Sequence, residues 1–512
     1  VYASLRSAAL EGLHVHDIEI EVSTGRGLPG MVMVGLPGKA VTESRDRVKT
    51  ALQHSDIPYP RSKVTVNLAP GDLKKEGPLY DLPIAVGTMI CTEFLKPNMD
   101  LSRVLMVGEL SLSGQCRSVP GILSIAEFCK QRKLSLICPM HNFTEAKLVQ
   151  DLEVFPVNHL NEVAQLIADP NSHKHIIETI PEQSPAPHPS SKLDFADVKG
   201  QELPKRALLI AAAGRHNLIM VGPPGSGKSM LAQRFPSLLP PLLPEEALQV
   251  TKIHSVAGQL GVQPNLLKER PFRAPHHSIS EAALIGGGND ARPGEISLCH
   301  RGVLFLDELP EFKRSTLELL RQPLESGEIH INRCKNSCHY PAQFALIAAM
   351  NPCPCGYSGS RVRNCRCRSG QVERYVSKLS GPLLDRIDLH VEVSDQSPKL
   401  LRRSHAPSSS TADMLAQIER ATFHQGQRYG KNNRFNGDLR GPEVLEACPI
   451  DAETESFLIR GMEQMGFSTR AFNKVLVVAR TIADLGESPD IQIDHVSEAL
   501  NYRSLDRNDP FN

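Results

Sequence analysis

The sequence predicts a multi-domain α/β protein with an α+β N-terminal domain, an α/β core and a helical C-terminal lid. Three observations carry this prediction. Residues 1–168 alternate short apolar runs (31–34, 64–68, 105–107 and 134–138) with helix-like stretches (39–54, 82–92 and 122–132), the pattern of strands interleaved with helices. An apolar run at 218–221 feeds a glycine-rich turn that opens a helix, a strand–turn–helix unit. Residues 473–485 space their apolar side chains as a helix face does, and Pro489 and Asp490 read as the start of a last short helix.

Two breaker-rich stretches set the boundaries. Residues 169–192 hold five prolines, four serines and three histidines, and residues 396–412 hold Pro398, Pro407 and Ser408-Ser409-Ser410. Both lose hydrophobic periodicity and read as linkers. They leave an N-terminal domain at 1–168, a core at 193–395 and a lid at 413–512. Lys and Arg total 57, as do Asp and Glu, so there is no global basic field and any nucleic-acid contact must come from a local patch. With 40% hydrophobic and 22% charged residues the chain reads as globular rather than disordered. No apolar run reaches the roughly 18 residues of a membrane span, and the first twenty residues do not read as a signal peptide. A cytoplasmic protein with no membrane partner is expected. Twelve cysteines in 512 residues do not make a disulfide scaffold; their clustering suggests a reducing compartment and a metal site.

The glycine-rich turn is Gly222-Pro223-Pro224-Gly225-Ser226-Gly227-Lys228-Ser229. Such a loop aims backbone N–H groups and a helix N-terminus at phosphates. Lys228 is expected to reach the β- and γ-phosphates of ATP, and the Ser229 hydroxyl to hold Mg²⁺. The run Gly302-Val303-Leu304-Phe305-Leu306-Asp307-Glu308 reads as a buried strand ending in two carboxylates. Asp307 is assigned to the Mg²⁺ shell, and Glu308 to orienting or deprotonating the attacking water. A third apolar strand, 344–350, ends in Asn351-Pro352; an amide at that tip suits contact with the γ-phosphate and the water. Arg386 stands among apolar residues in Leu383-Leu384-Asp385-Arg386-Ile387, where an arginine taken alone is ordinarily solvated.

In order and content these motifs resemble the AAA+ ATPases, specifically the clade of magnesium-chelatase I subunits and MCM helicases. The segments Arg273-Ala274-Pro275-His276-His277, 302–312 and 348–356 are similar to the YifB/ComM family, and the resemblance covers nearly the whole chain. It implies sensor 1 for Asn351, an arginine finger acting on the neighbouring subunit for Arg386, sensor 2 for Arg470, and a homo-hexameric ring. Fingers supplied in trans are worth about 10³–10⁵ in turnover in GTPases, so activity is expected to depend on assembly. Two insertions, 281–295 with Gly286-Gly287-Gly288 and the hairpin 329–340 with Arg333 and Lys335, fall where related helicases carry pore loops that push nucleic acid. His276 and His277 are read as structural or nucleic-acid-facing rather than as metal ligands.

The N-terminal domain looks like the Lon protease domain, a ribosomal S5 domain 2-like fold. Gly77-Pro78 precedes an apolar helix, and 108–121 reads Gly-Glu-Leu-Ser-Leu-Ser-Gly-Gln-Cys-Arg-Ser-Val-Pro-Gly. The nucleophile position is Leu79 and, counted without gaps from Gly114, the lysine position is Ile125. Neither supplies the Ser–Lys pair that this hydrolysis needs, so proteolysis is not expected.

Cys353, Cys355, Cys365 and Cys367 form a C-x-C…C-x-C set, four thiolates suited to a tetrahedral structural Zn²⁺. Between Cys353 and Val372 there is no carboxylate, while Arg361, Arg363, Arg366 and Arg368 all fall there. This local basic patch is a candidate DNA contact; a solvated face or an inter-subunit contact is the alternative. The resemblance implies ATP-driven branch migration of DNA, branched or single-stranded and threaded through a pore, during homologous recombination in natural transformation, with recombination proteins as partners. A magnesium-chelatase-type motor that remodels a protein client is the second reading.

Overall fold

The computed structural model describes residues 1–170, 193–261, 265–288, 291–332, 337–360, 363–395, 409–430, 434–467 and 469–506. Its first sheet starts at Tyr2, ahead of the first predicted apolar run at 31–34. Strands β1 (Tyr2–Glu11) and β2 (His14–Gly25) pair antiparallel from Tyr2↔Ser23 to Glu11↔His14. Strict alternation explains β2: Ile18, Ile20 and Val22 are buried while Glu19 between them is exposed. Strands β3 (Gly30–Val34), β4 (Lys63–Ala69) and β5 (Val104–Met106) follow where apolar runs predict them. Next come a short hairpin, β6 (Glu109–Leu110) with β7 (Cys116–Arg117), and then β8 (Ser135–Pro139) and β9 (Val154–Val157). The resulting seven-stranded sheet has the order β3-β4-β2-β1-β5-β8-β9. Helices Lys39–His54, Asp81–Cys91 and Ile122–Arg132 occupy the predicted stretches. Leu79 and Ile125 are both in the core of this unit.

The core unit is built on a parallel sheet of β10 (Leu218–Val221), β11 (Phe272–Arg273), β14 (Val303–Leu306), β17 (Ala345–Met350) and β18 (Leu389–Glu392). Between β11 and β14 lies the small hairpin β12 (Gly286–Gly287) with β13 (Arg292–Pro293), inside the predicted 281–295 insertion. Strands β15 (Glu328–Asn332) and β16 (Ser337–Pro341) make the second predicted hairpin. The sheet order β11-β14-β17-β10-β18 puts the phosphate-loop strand β10 between β17 and β18. The three inner strands β14, β17 and β10 are wholly apolar because both faces are covered. Leu218, Met220, Val303, Phe305, Ile347 and Ala349 point into one hydrophobic cluster, and Ile219, Val221, Leu304, Leu306, Ala348 and Met350 into another.

The first of these clusters continues into the C-terminal helices Thr411–Tyr429, Ala452–Met465, Thr469–Leu485 and Ile493–Asn501. Two boundaries depart from expectation. Helix Thr411–Tyr429 begins inside the predicted 396–412 linker, because Ser410 and Asp413 cap each other's backbone N–H groups. The last helix opens at Ile493 rather than at Pro489, because the Arg480 guanidinium binds the carbonyls of Ser488 and Pro489 and holds that stretch as a loop. The linker residues 171–192 and 396–408 lie outside the described residues.

Among the described residues the two α/β units touch at two places. Helix Pro244–Val256 of the core pairs Lys252 with Glu127 and Ser255 with Glu145. The β1–β2 turn meets the β15–β16 hairpin: Gly12 has φ 62°, and a Cβ there would lie 3.4 Å from the His339 carbonyl oxygen. Leu13 beside it packs on the cluster that holds Ile329, Ile331, Cys338 and Tyr340. Among the described residues no helix is long and apolar enough to cross a membrane.

Candidate functional site

Because β10, β14 and β17 run parallel, the residues that follow them share one edge of the sheet, the carboxyl edge where open α/β sheets bind ligands. Gly222 follows β10 and has no room for a side chain: a Cβ would lie 2.2 Å from the Val393 carbonyl oxygen. Gly225 (φ 78°) and Gly227 (φ 97°) take the left-handed turns. Pro224 and Gly225 are exposed, Gly222, Pro223 and Ser226 are buried, and Lys228 and Ser229 open the helix Lys228–Arg234.

The Lys228 amine donates to Gly222 O at 2.6 Å, Pro223 O at 2.9 Å and Asn351 Oδ1 at 3.3 Å. Burial lowers its pKa, against the pull of Asp307, Asp395 and Glu308. Ser229 Oγ donates to Asp307 Oδ2 at 2.8 Å. Adjacent ligands of an octahedral Mg²⁺ lie about 2.9 Å apart, so these two oxygens fit neighbouring positions on one ion. Glu308 follows with φ 52°, a left-handed conformation that costs a non-glycine residue about 1 kcal/mol or more. Its carboxylate meets His277, Nδ1 to Oε2 at 3.5 Å. His277 in turn lies against His276, with ring centroids 4.0 Å apart, and edge-on to Phe312. The neighbouring Arg273 is anchored by a bidentate pair with Glu295 at 2.5 and 2.7 Å. The structure therefore brings together Lys228, Ser229, Asp307, Glu308 and Asn351, five residues singled out in the sequence. Their donor set suits a triphosphate with a divalent cation.

The cysteine loop leaves β17 directly after Asn351 and folds back on the phosphate loop. A Cβ on Gly356 would lie 2.6 Å from Pro224 Cδ. Tyr357 and Arg363 line a cavity of about 570 Å³ together with Pro224, Gly225, Gly227 and Gln201. The Gln201 amide also donates to Ser226 O at 3.0 Å. Neither this side of the cavity nor the His277 contact was found from the sequence; the residues come from separate segments and carry no shared motif. Sulfur separations are 3.3 Å for Cys353–Cys355, 3.6 Å for Cys353–Cys365 and 3.6 Å for Cys355–Cys365, and all four ligand atoms fall within 4.8 Å of one another. A tetrahedral Zn²⁺ with Zn–S of about 2.3 Å has edges of about 3.8 Å, so these four residues could hold it. Hydrogen bonds from the Arg366 and Tyr357 backbone N–H groups lower the Cys355 thiol to about 6.

Arg386 stands at the other edge of the sheet. Asn217, just before β10, donates to its carbonyl at 3.0 Å. The strand between is four residues deep, about 13 Å at 3.3 Å per residue, so Arg386 is remote from the phosphate loop of its own chain. Its guanidinium is paired with Glu325 in a cavity of about 660 Å³ shared with Arg215, Arg270 and Arg301. Arg363, Arg366 and Arg368 are exposed. Arg361, Arg333 and Lys335 lie outside the described residues, as does the side chain of Arg470, which sits in the first turn of helix Thr469–Leu485.

The chain is 43% identical to YifB of Escherichia coli over 504 residues, spanning 98% of this chain and 97% of that protein. It is 41% identical to the competence protein ComM of Haemophilus influenzae over 506 residues, 99% and 98% of the two chains. The chain belongs to the YifB/ComM family. A Mycobacterium tuberculosis protein is 39% identical over 500 residues, 97% of each chain. Three family descriptions match the chain in succession: subunit ChlI of Mg-chelatase at 20–142, magnesium chelatase subunit ChlI at 194–401, and its C-terminal part at 408–503. For a YifB/ComM protein, this sets the magnesium-chelatase-like match at 194–401 over the parallel sheet and every residue of the phosphate site.

Proposed function

We propose that this chain is an ATP-hydrolysing motor that assembles as a homo-hexamer, moves along DNA and drives branch migration during homologous recombination in natural transformation. Similarity to a competence protein over almost the whole chain carries the reading. The convergence of Lys228, Ser229, Asp307, Glu308 and Asn351 at one sheet edge supports its ATPase half. In this reading the loop 222–229 and Lys228 bind the triphosphate, Ser229 and Asp307 hold Mg²⁺, Glu308 takes a proton from water, and Asn351 orients that water. Bound Mg-ATP supplies the phosphoanhydride to be cleaved. Arg386, too far from its own phosphate loop, acts on the nucleotide of a neighbouring copy, and Arg470 is sensor 2. The four cysteines carry Zn²⁺, and the arginines of their loop and of the hairpin touch DNA phosphates. The N-terminal domain is a Lon-like unit without proteolytic activity, since buried Leu79 and Ile125 stand where the nucleophile and base would be.

The test is branch migration of a synthetic four-way junction with ATP, comparing wild type with Lys228→Ala and Glu308→Gln. ATP-dependent product that both substitutions abolish supports the motor. Junctions left intact while ATP is still hydrolysed would favour the second reading, a magnesium-chelatase-type remodeller of a protein client, for which the family matches argue.

A further inference from the structure

In the β15–β16 hairpin Ile329 faces Tyr340, His330 faces His339 and Ile331 faces Cys338. Ile329, Ile331, Cys338 and Tyr340 are each at most 6% exposed and belong to the core cluster. Period-two alternation turns Glu328, His330 and His339 to the opposite face. There His339 Nε2 lies 2.8 Å and His330 Nε2 4.0 Å from the same oxygen, Glu328 Oε2. The two imidazole rings have centroids 4.8 Å apart and are tilted by 45°. One ligand atom from each of the three residues falls within 4.8 Å of the others.

We propose that this face is a second metal site, in which His330, His339 and Glu328 bind a divalent ion of the zinc class. Two imidazole nitrogens and one carboxylate oxygen are the donors of zinc sites that keep a fourth position open. Mg²⁺ and Ca²⁺ prefer oxygen and match this set poorly. Around a tetrahedral ion at about 2.0–2.1 Å the ligand atoms sit about 3.4 Å apart, between the two separations seen to Glu328. The three side chains are 37–46% exposed, so the rings can close on an ion without repacking the core. The ion would tie β15 to β16 and stiffen a two-stranded hairpin, an element that is marginal on its own. The site is separate from the cysteine set and does not depend on what the ATPase acts upon.

The experiment uses the full-length chain equilibrated with micromolar Zn²⁺ and dialysed, with bound zinc measured by elemental analysis. Wild type is expected to retain about one ion per chain more than the His330→Ala/His339→Ala variant. Glu328→Gln is expected to bind that ion at least about tenfold more weakly, the scale carried by even an outer-shell partner. Equal zinc in wild type and a folded double variant overturns the proposal. Should the double variant fail to fold, wild type decides alone: with the cysteines first filled by Zn²⁺, added Co²⁺ must give visible d–d absorption without a near-ultraviolet thiolate band. Absence of that absorption overturns the proposal equally.

Discussion

Lys228 is 8% exposed, and its amine is bonded to the carbonyls of its own loop. An amine desolvated in this way gains most from a polyanion, so Lys228→Ala is expected to abolish binding of a fluorescent ATP analogue. Glu308→Gln should keep binding and lower kcat by about 10²–10⁴-fold, the range of a general base. With Glu308 as the proposed base, His277 bears on it through its Nδ1 contact, so His277→Ala should lower kcat while leaving KM for ATP unchanged. Lys228 and Ser229 were legible from the glycine-rich turn, and Asp307 and Asn351 because each is the first polar residue after an apolar run, with Glu308 next to Asp307. His277 was not, because it follows the two-residue strand β11, too short to carry a period. A second residue-scale effect concerns acid. Burial, with help from Arg301 and Arg215, lowers the pKa of His300 to about 3, and burial lowers His254 and His390 as well. Unfolding frees these rings to take a proton below the ordinary value of about 6.5, so stability falls as pH drops from there toward 3, by at most about 1.4 kcal/mol per pH unit for each ring. The melting temperature of wild type should therefore fall more steeply between pH 7 and pH 5 than that of His300→Gln.

At the scale of elements, the cysteine loop shows what charge can and cannot say. Its arginines read as a DNA contact because no carboxylate accompanies them, yet the loop's own turn leans on Pro224 and its Arg363 and Tyr357 face the phosphate-loop cavity. Sequence composition reports charge and says nothing of the direction in which a loop folds back. Arg363→Ala is therefore expected to raise KM for ATP several-fold. Arg366→Ala with Arg368→Ala should instead flatten the salt dependence of DNA binding by about 0.9 per lost contact in the log–log slope; an unchanged slope would remove this loop from the DNA interface. The strands were legible where apolar runs stand between turn residues, as in β10, β14 and β17. Strand β2 escaped because its outward residues include acids and histidines, although the Ile18-Glu19-Ile20-Glu21-Val22 alternation carries the signal, and β1 because Ser4, Arg6 and Ser7 interrupt its apolar residues.

For the whole molecule, the separation of Arg386 from the phosphate loop bears on the proposed trans role, in which one reaction is shared between two copies. Turnover per chain should rise with protein concentration, and Arg386→Ala should lose most of it while still binding nucleotide, measured by steady-state ATPase assays across a dilution series. Mixing Arg386→Ala with Lys228→Ala should recover part of the rate, since each supplies what the other lacks. The contacts between the N-terminal sheet unit and the core were not legible, because Lys252 with Glu127 and Gly12 with His339 join residues far apart in the chain. The second of these contacts has a mechanical meaning. Gly12 bears on Cys338, His339 and Tyr340 of the β15–β16 hairpin, and Leu13 packs on the cluster that holds its core-facing side. A load borne by this hairpin therefore passes through the β1–β2 turn into the N-terminal sheet as well as into the core.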